Sequence, residues 1–200
     1  MGFGFLPLKN EEWHIFWHVV SIVTKTGDSG MTSLLFNRRV SKSSLRVHAY
    51  GTVDELNANL GVLRAWLNQS GDYRDHGESI LAVQKQLIQL MGELATHADD
   101  MERYAKAGFI PTSEESADLI ESLIRDIESK GLKLDGWVMP GDNLLSASAD
   151  QARTTCRRAE REVIRLLEDK ELANQHIAVY LNRLSDYLWM LARDLENKSI

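Results

Sequence analysis

Apolar residues recur at spacings of three and four along most of this chain, which restricts it to amphipathic helices packed side by side. Val53, Leu56, Leu60, Leu63 and Leu67 form one such stripe and predict a helix over about 48–68. The segment SGDYRDHGE breaks the pattern. Ile80, Val83, Leu87, Leu90, Met91 and Leu94 then predict a second helix over about 78–106, closed by Gly108. A third is marked by PTSEESADLIESLIRDIESKG, with Thr112 and Ser113 as capping residues, acidic residues in its first turn and Gly131 as terminator. Ala152, Cys156, Ala159, Val163 and Leu167 define a fourth over about 144–168. Ile177, Leu181, Leu184, Leu188 and Leu191 define a fifth over about 171–197. Long amphipathic helices joined by short connections predict an all-α, five-helix up-and-down bundle.

With 200 residues the chain is economically one domain, read here as 23–197 behind an N-terminal extension, residues 1–22. That extension lacks the basic start and small-residue cleavage site of a signal peptide, and the arginines of a mitochondrial presequence. A docking segment or an upstream start are its two readings. No apolar run is long enough to span a bilayer, and a net charge of -6 argues against general nucleic-acid binding. A cytoplasmic protein is the expectation. His14 and His18 are spaced for a metal on a helix but have no evident third ligand. The single Cys156 lies on an apolar stripe and reads as a buried structural thiol.

Against that acidic balance, the fourth helix gathers Arg153, Arg157, Arg158, Arg161 and Arg165. Arg153, Arg157 and Glu160 lie beside the apolar stripe, where a half-buried guanidinium needs an anionic partner or ligand. Arg158, Arg161, Glu162 and Arg165 fall further round, on a face that charge pairs can lace. On the fifth helix Asn182, Asp186, Trp189 and Arg193 share a polar face, either solvated or the wall of a pocket. Asp54, Asn57 and Gly61 share a side of the first helix, making Asp54 a candidate partner for a fourth-helix arginine. Residues 24–45, TKTGDSGMTSLLFNRRVSKSSL, have no helical period, and an ordered loop of that length usually serves function. Gly27 and Gly30 free the backbone to aim amides at an anion, with hydroxyls at Thr24, Thr26, Thr32 and Ser33 and a cation at Lys25. Such a loop suits a polyphosphate. It lacks the GxxxxGK[ST] order of a P-loop, and its Gly-Asp-Ser-Gly also fits a plain turn or a weak calcium loop.

Six blocks, TKTGDSGMTS, VSK at 40–42, AYGTVDELNANLG at 49–61, MPG at 139–141, ARTTCRRAER at 152–161 and LNRLSDYLWMLAR at 181–193, together resemble the PduO-type ATP:cob(I)alamin adenosyltransferases. The resemblance runs from about Val23 to Leu195. It implies a homotrimer of five-helix bundles with an active site between subunits. ATP contacts would come from Thr24, Lys25, Thr26, Gly27, Thr32, Ser33 and Lys42, and from Arg157, Arg158, Arg161, Glu160 and Asn182, with Glu160 also near Mg²⁺. Arg153 would pair with Asp54 across the interface, and Asp186 matches an aspartate needed for activity. Trp137 stands where phenylalanine usually walls off the lower face of the corrin; Asp142 and Asn143 replace a glycine and a small hydroxyl residue. The implied reaction moves the 5′-deoxyadenosyl group of ATP to cob(I)alamin and releases triphosphate. A reductase and an adenosylcobalamin-dependent enzyme are the implied partners.

Two rival readings compete with this one. One is a non-catalytic cobalamin or ATP carrier or regulator of the same fold. The other is a di-metal bundle, which needs Glu-x-x-His signatures; Glu93 to His97 is one residue too long.

Overall fold

The leucine stripes bury as their spacing requires. A computed structural model describes residues 23, 25–132 and 137–196; the extension 1–22, with His14 and His18, and Thr24 lie outside them. The described residues form five principal helices: α1 (Leu45–Gln69), α2 (Arg74–Leu94), α4 (Asp118–Glu128), α5 (Leu144–Glu168) and α6 (His176–Glu196). A six-residue helix α3 (Met101–Lys106) lies between α2 and α4. Packing runs α2 against α1, α1 against α5, α5 against α6 and α6 against α4. Along α1, Val53, Leu56, Leu60, Leu63 and Leu67 are fully excluded from water, where each leucine contributes roughly 1.5–3 kcal/mol. Ile80, Val83 and Leu87 of α2, Ala152, Cys156, Ala159 and Val163 of α5, and Ile177, Leu181, Leu184, Leu188 and Leu191 of α6 complete one core. No helix among the described residues is long and apolar enough to cross a membrane.

Caps set several ends. Ser44 Oγ accepts from the Val47 amide at 3.4 Å at the start of α1. Ser113 and Ser116 form a reciprocal capping box before α4. Asn143 and Ser146 do the same for α5, and Asn143 Nδ2 also donates to the Leu195 carbonyl at 3.0 Å. The departure at Asn143 therefore has a structural use: it caps α5 and ties it to the end of α6.

Two helix boundaries, one buried position and one loop differ from the sequence pattern. The second helix stops at Leu94 rather than continuing to 106, because Thr96 bonds back to the Gly92 carbonyl and a buried arginine occupies the chain end. That arginine, Arg46, is 3 % exposed and donates to the carbonyls of Leu94 at 3.0 Å and Thr96 at 2.8 Å, and to that of Glu171. The fifth helix starts at His176 rather than 171, since Asn174 Oδ1 accepts from the His176 amide while Asn174 Nδ2 holds the Thr112 carbonyl and Glu93. On α5, Leu166 is the fully buried residue and Leu167 the partly buried one. Finally, the irregular loop contains a small antiparallel hairpin, β1 (Met31–Ser33) with β2 (Arg39–Ser41), Ser33 facing Arg39.

Candidate nucleotide and corrinoid site

Two groups of the predicted residues are assembled on different elements. On α5 and α6, Arg157 Nη1 lies 3.5 Å from Glu160 Oε2, and Glu160 Oε1 accepts from Asn182 Nδ2 at 3.0 Å. Asn182 Oδ1 in turn accepts from Arg183 Nη1 at 3.2 Å, and the same nitrogen stands 4.0 Å from Asp186 Oδ2. Four predicted residues, Arg157, Glu160, Asn182 and Asp186, thus form one polar row across two adjacent helices. Arg157 is about half exposed (49 %) and Asp186 more so (57 %), whereas Glu160 is mostly covered (17 %). With one loose carboxylate contact among the described residues, Arg157 keeps guanidinium donors for an incoming anion. Beyond Asp186 the row opens into a groove of about 510 Å³ between α4 and α6, walled by Trp189 and Met190. Arg183 and Glu121, joined at 3.5 Å, stand at its edge; neither was singled out from the sequence. Arg183 did carry a signal, since it lies between two predicted residues.

The hairpin carries the second group. Its turn is closed by hydrogen bonds from the Asp28 amide to the Lys25 carbonyl and from the Gly30 amide to the Gly27 carbonyl. Lys25 and Gly30 have φ of 57° and 78°, the left-handed region in which glycine is unstrained and lysine is uncommon. The Lys42 amide donates to the Gly30 carbonyl at 2.9 Å, and its ammonium lies where a side chain on Gly27 would stand, 3.0 Å from an ideal Cβ. Lys25, Thr26, Gly27, Thr32, Ser33 and Lys42 are thereby brought together. Burial raises the pKa of the Tyr50 phenol on α1, and its hydrogen bond with Thr32 opposes that shift.

Anchors outside the hairpin fix its place. The Leu35 amide donates to the Ala95 carbonyl at 2.8 Å, just beyond α2. Arg38 Nε donates to Asp100 Oδ2 at 2.8 Å, and this bond holds the Asp100 carboxyl below its usual pKa. Arg103 of α3 lies over the Phe36 ring, 4.4 Å from its centroid.

The remaining arginines divide as their positions on the helix suggest. Arg153 is three-quarters covered and donates from Nε to Asp150 Oδ1 at 2.7 Å, while Asp54 is exposed on α1. Asp150 is shared with the buried Arg193, whose Nη2 is 2.5 Å from its other oxygen and 2.6 Å from Glu196. Arg193 is therefore a core ion-pair member, not part of an open polar face. Arg158 reaches Glu55 of α1, Arg165 reaches Glu162, and Arg161 bonds back to the Arg157 carbonyl. Cys156 is buried and its thiol donates to the Leu181 carbonyl at 3.1 Å; burial pushes its pKa up, so it stays protonated. Trp137 is fully exposed, with Met139 and Leu144 also largely exposed, so an apolar surface precedes α5. The Glu93 carboxylate, for its part, is spent on the Thr112 amide at 2.7 Å and Asn174 at 2.8 Å, while His97 Nδ1 caps the Asp99 amide.

The geometry can be set beside known proteins. The family model described as cobalamin adenosyltransferase matches residues 22–195. A corrinoid adenosyltransferase of Bacillus subtilis (strain 168) is 34% identical over 180 residues, 90% of this chain and 89% of the relative. One from Citrobacter freundii is 38% identical over 172 residues, 86% of this chain and 93% of the relative. Among solved structures, a variant PduO-type ATP:corrinoid adenosyltransferase from Lactobacillus reuteri, complexed with cobalamin and ATP, superposes with a TM-score of 0.80. That pair is 32% identical over 88% of this chain and 93% of the other.

Proposed function

The chain belongs to the cobalamin adenosyltransferase family, and from that premise we propose that it transfers the 5′-deoxyadenosyl group of ATP to cob(I)alamin. The observation that carries the reading is the row Arg157, Glu160, Asn182 and Asp186, whose first member keeps unspent donors toward solvent. A planar guanidinium with free N–H groups makes paired, charge-assisted bonds to phosphate oxygens. The substrate cobalt(I) provides the electron pair: a Co–C bond forms at the 5′ carbon of ATP as its C–O bond breaks, and triphosphate leaves. The protein therefore needs no nucleophile of its own. Arg157, Lys25 and Lys42 offset charge on the departing triphosphate, and Thr26, Gly27, Thr32 and Ser33 line the loop that orients it, with Thr24 completing the same motif. Arg158 and Arg161 add positive potential on the outer face of α5.

Glu160 fits the magnesium role: a largely covered carboxylate with one oxygen bonded to Asn182, beside the arginine assigned to phosphate. Mg²⁺ is ordinarily held by one or two carboxylates together with substrate phosphates and water, and it would neutralise phosphate charge there. Trp137, exposed and apolar, would cover the lower corrin face without offering cobalt a ligand.

A homotrimer with sites between subunits belongs to the same reading. Trp137 joins the start of α5, whereas the hairpin is anchored on the α2–α3 junction, the end to which Arg46 also ties Glu171 beyond the last turn of α5. A helix of 25 residues is about 37 Å long, so the corrin-covering and ATP-holding segments attach at opposite ends of it. A neighbouring chain that supplies one segment closes the gap. An Arg153–Asp54 pair across that contact, a cytoplasmic location, a reductase that delivers the electron and an adenosylcobalamin-dependent acceptor complete the proposal.

The test is formation of adenosylcobalamin from ATP, Mg²⁺ and chemically reduced cobalamin by the purified protein. Binding without turnover would make the protein a carrier. Co-expressing Lys42→Ala and Asp186→Asn chains tests the shared site: mixed oligomers should recover part of the activity that each variant lacks alone.

A further inference from the structure

We infer that Arg39, which is not among the residues assigned to ATP above, is the positioning residue that holds the nucleotide loop in its binding shape. Arg39 opens β2 and faces Ser33 across the hairpin. Its guanidinium donates in two directions at once. Nη2 bonds the Thr26 carbonyl at 2.8 Å, and Nη1 reaches Ser33 Oγ at 3.3 Å. One side chain thus ties the glycine-containing turn to the strand that follows it, linking two residues assigned to ATP.

β2 holds the turn at a second point. Just past its end, Lys42 takes the Gly30 carbonyl with its amide and lays its ammonium against Gly27. Arg39 and Lys42 therefore brace the turn from both ends of one short strand. The brace matters because a three-residue pairing is weak alone and the turn contains two glycines and has positive φ at Lys25 and Gly30, so its folded shape has many competitors. A planar fork with donors at fixed spacing suits this bridging, since it holds both acceptors in set directions, which a compact ammonium on a flexible stem does not. Arg39 itself is exposed and lies on the hairpin rather than in the bundle, so its replacement leaves the helical core intact.

The inference rests on the ATP reading for its purpose but not for its geometry, and the experiment separates the two. Amide hydrogen exchange is measured over residues 25–33 in the ligand-free full-length protein and its Arg39→Gln and Arg39→Lys variants, alongside ATP affinity by titration. Arg39→Gln should speed exchange in 25–33, leave α1 and α5 protected as before, and weaken ATP binding roughly fivefold or more, the worth of one lost hydrogen bond. Arg39→Lys should fall between. Unchanged exchange in Arg39→Gln with weaker ATP binding would mean a direct phosphate contact and overturn the positioning role. Faster exchange with unchanged ATP affinity would overturn the link between brace and ligand. Failure of the wild-type protein to bind ATP would defeat the ATP reading, and the exchange comparison would still decide the brace.

Discussion

Arg46→Ala is expected to destabilise the protein by about 3–5 kcal/mol, the range for removing one member of a buried polar arrangement and stranding its partners. Arg46 is 3 % exposed and serves the carbonyls of Leu94, Thr96 and Glu171, with Glu171 Oε2 a further 3.8 Å away. Truncation leaves carbonyls from two chain segments without their donor and opens a cavity the length of an arginine side chain. Desolvation works the other way: burial pushes the Arg46 pKa down, which shows that the charge is held at a cost, so part of the loss is recovered. For a chain of this size each kcal/mol moves Tm by about 2–4 °C, giving a fall of roughly 6–20 °C by calorimetry at fixed protein concentration. Arg46→Met retains volume and removes the charge, so it should lose less than the alanine variant. Because Ala95, in the turn that Arg46 fixes, also accepts the Leu35 amide, ATP affinity should fall along with stability. A loss below about 1 kcal/mol in Arg46→Ala would refute the claim that these carbonyls depend on the guanidinium.

Three other outcomes follow from the geometry. Arg157→Ala should lower kcat/KM for ATP roughly 10- to 100-fold, the loss of charge-assisted phosphate bonds, with Tm nearly unchanged because the side chain is half exposed; steady-state kinetics and a melt check both halves. Acid should loosen the hairpin anchor: the Asp100 carboxyl titrates lower folded than unfolded, so its bond to Arg38 stabilises above the unfolded pKa of about 3.9 and is lost as pH falls through the lower folded value. Hydrogen exchange of residues 31–41 against pH should show that loss, and Asp100→Asn should abolish the pH dependence. Trp137→Ala should leave the fold intact and let a lower ligand reach cobalt in the cobalamin complex, a change that absorption or magnetic spectra of its cobalt(II) form would register; unchanged spectra would remove Trp137 from the site.

The bundle was legible because its helices announce themselves by period. Leu56, Leu60, Leu63 and Leu67 point one way whatever lies opposite, so burial follows from spacing alone. The boundaries were less so. The apolar rhythm through Leu94, Met101 and Tyr104 continues across a real break, because what ends α2 is an arginine about fifty residues earlier in the chain. Likewise the hairpin strands are three residues long and lie among serines and glycines, with much of their anchoring supplied by Ala95 and Asp100.

The candidate site was legible to a different depth for a related reason. Arg157 with Glu160 on one helix, and Asn182 with Asp186 on another, could be grouped because each lies at a fixed angle to a known apolar face; that the two pairs belong to one site came from the resemblance. Arg153 could be assigned an anionic partner on the same grounds, but its partner within the chain, Asp150, was not legible: it lies one turn earlier on the same helix, buried and held by Arg193 from α6. Arg46 shows what the period could have revealed. It sits three residues before Ala49 and seven before Val53, on the apolar stripe itself, so a charge there had to be buried and had to be satisfied. A cation on a core stripe is a stronger pointer to a structural tie than a cation beside one, because the helix leaves it no route to water. Arg39 offered no such signal, since strand pairing and a carbonyl thirteen residues away give it its position, and neither has a period to read.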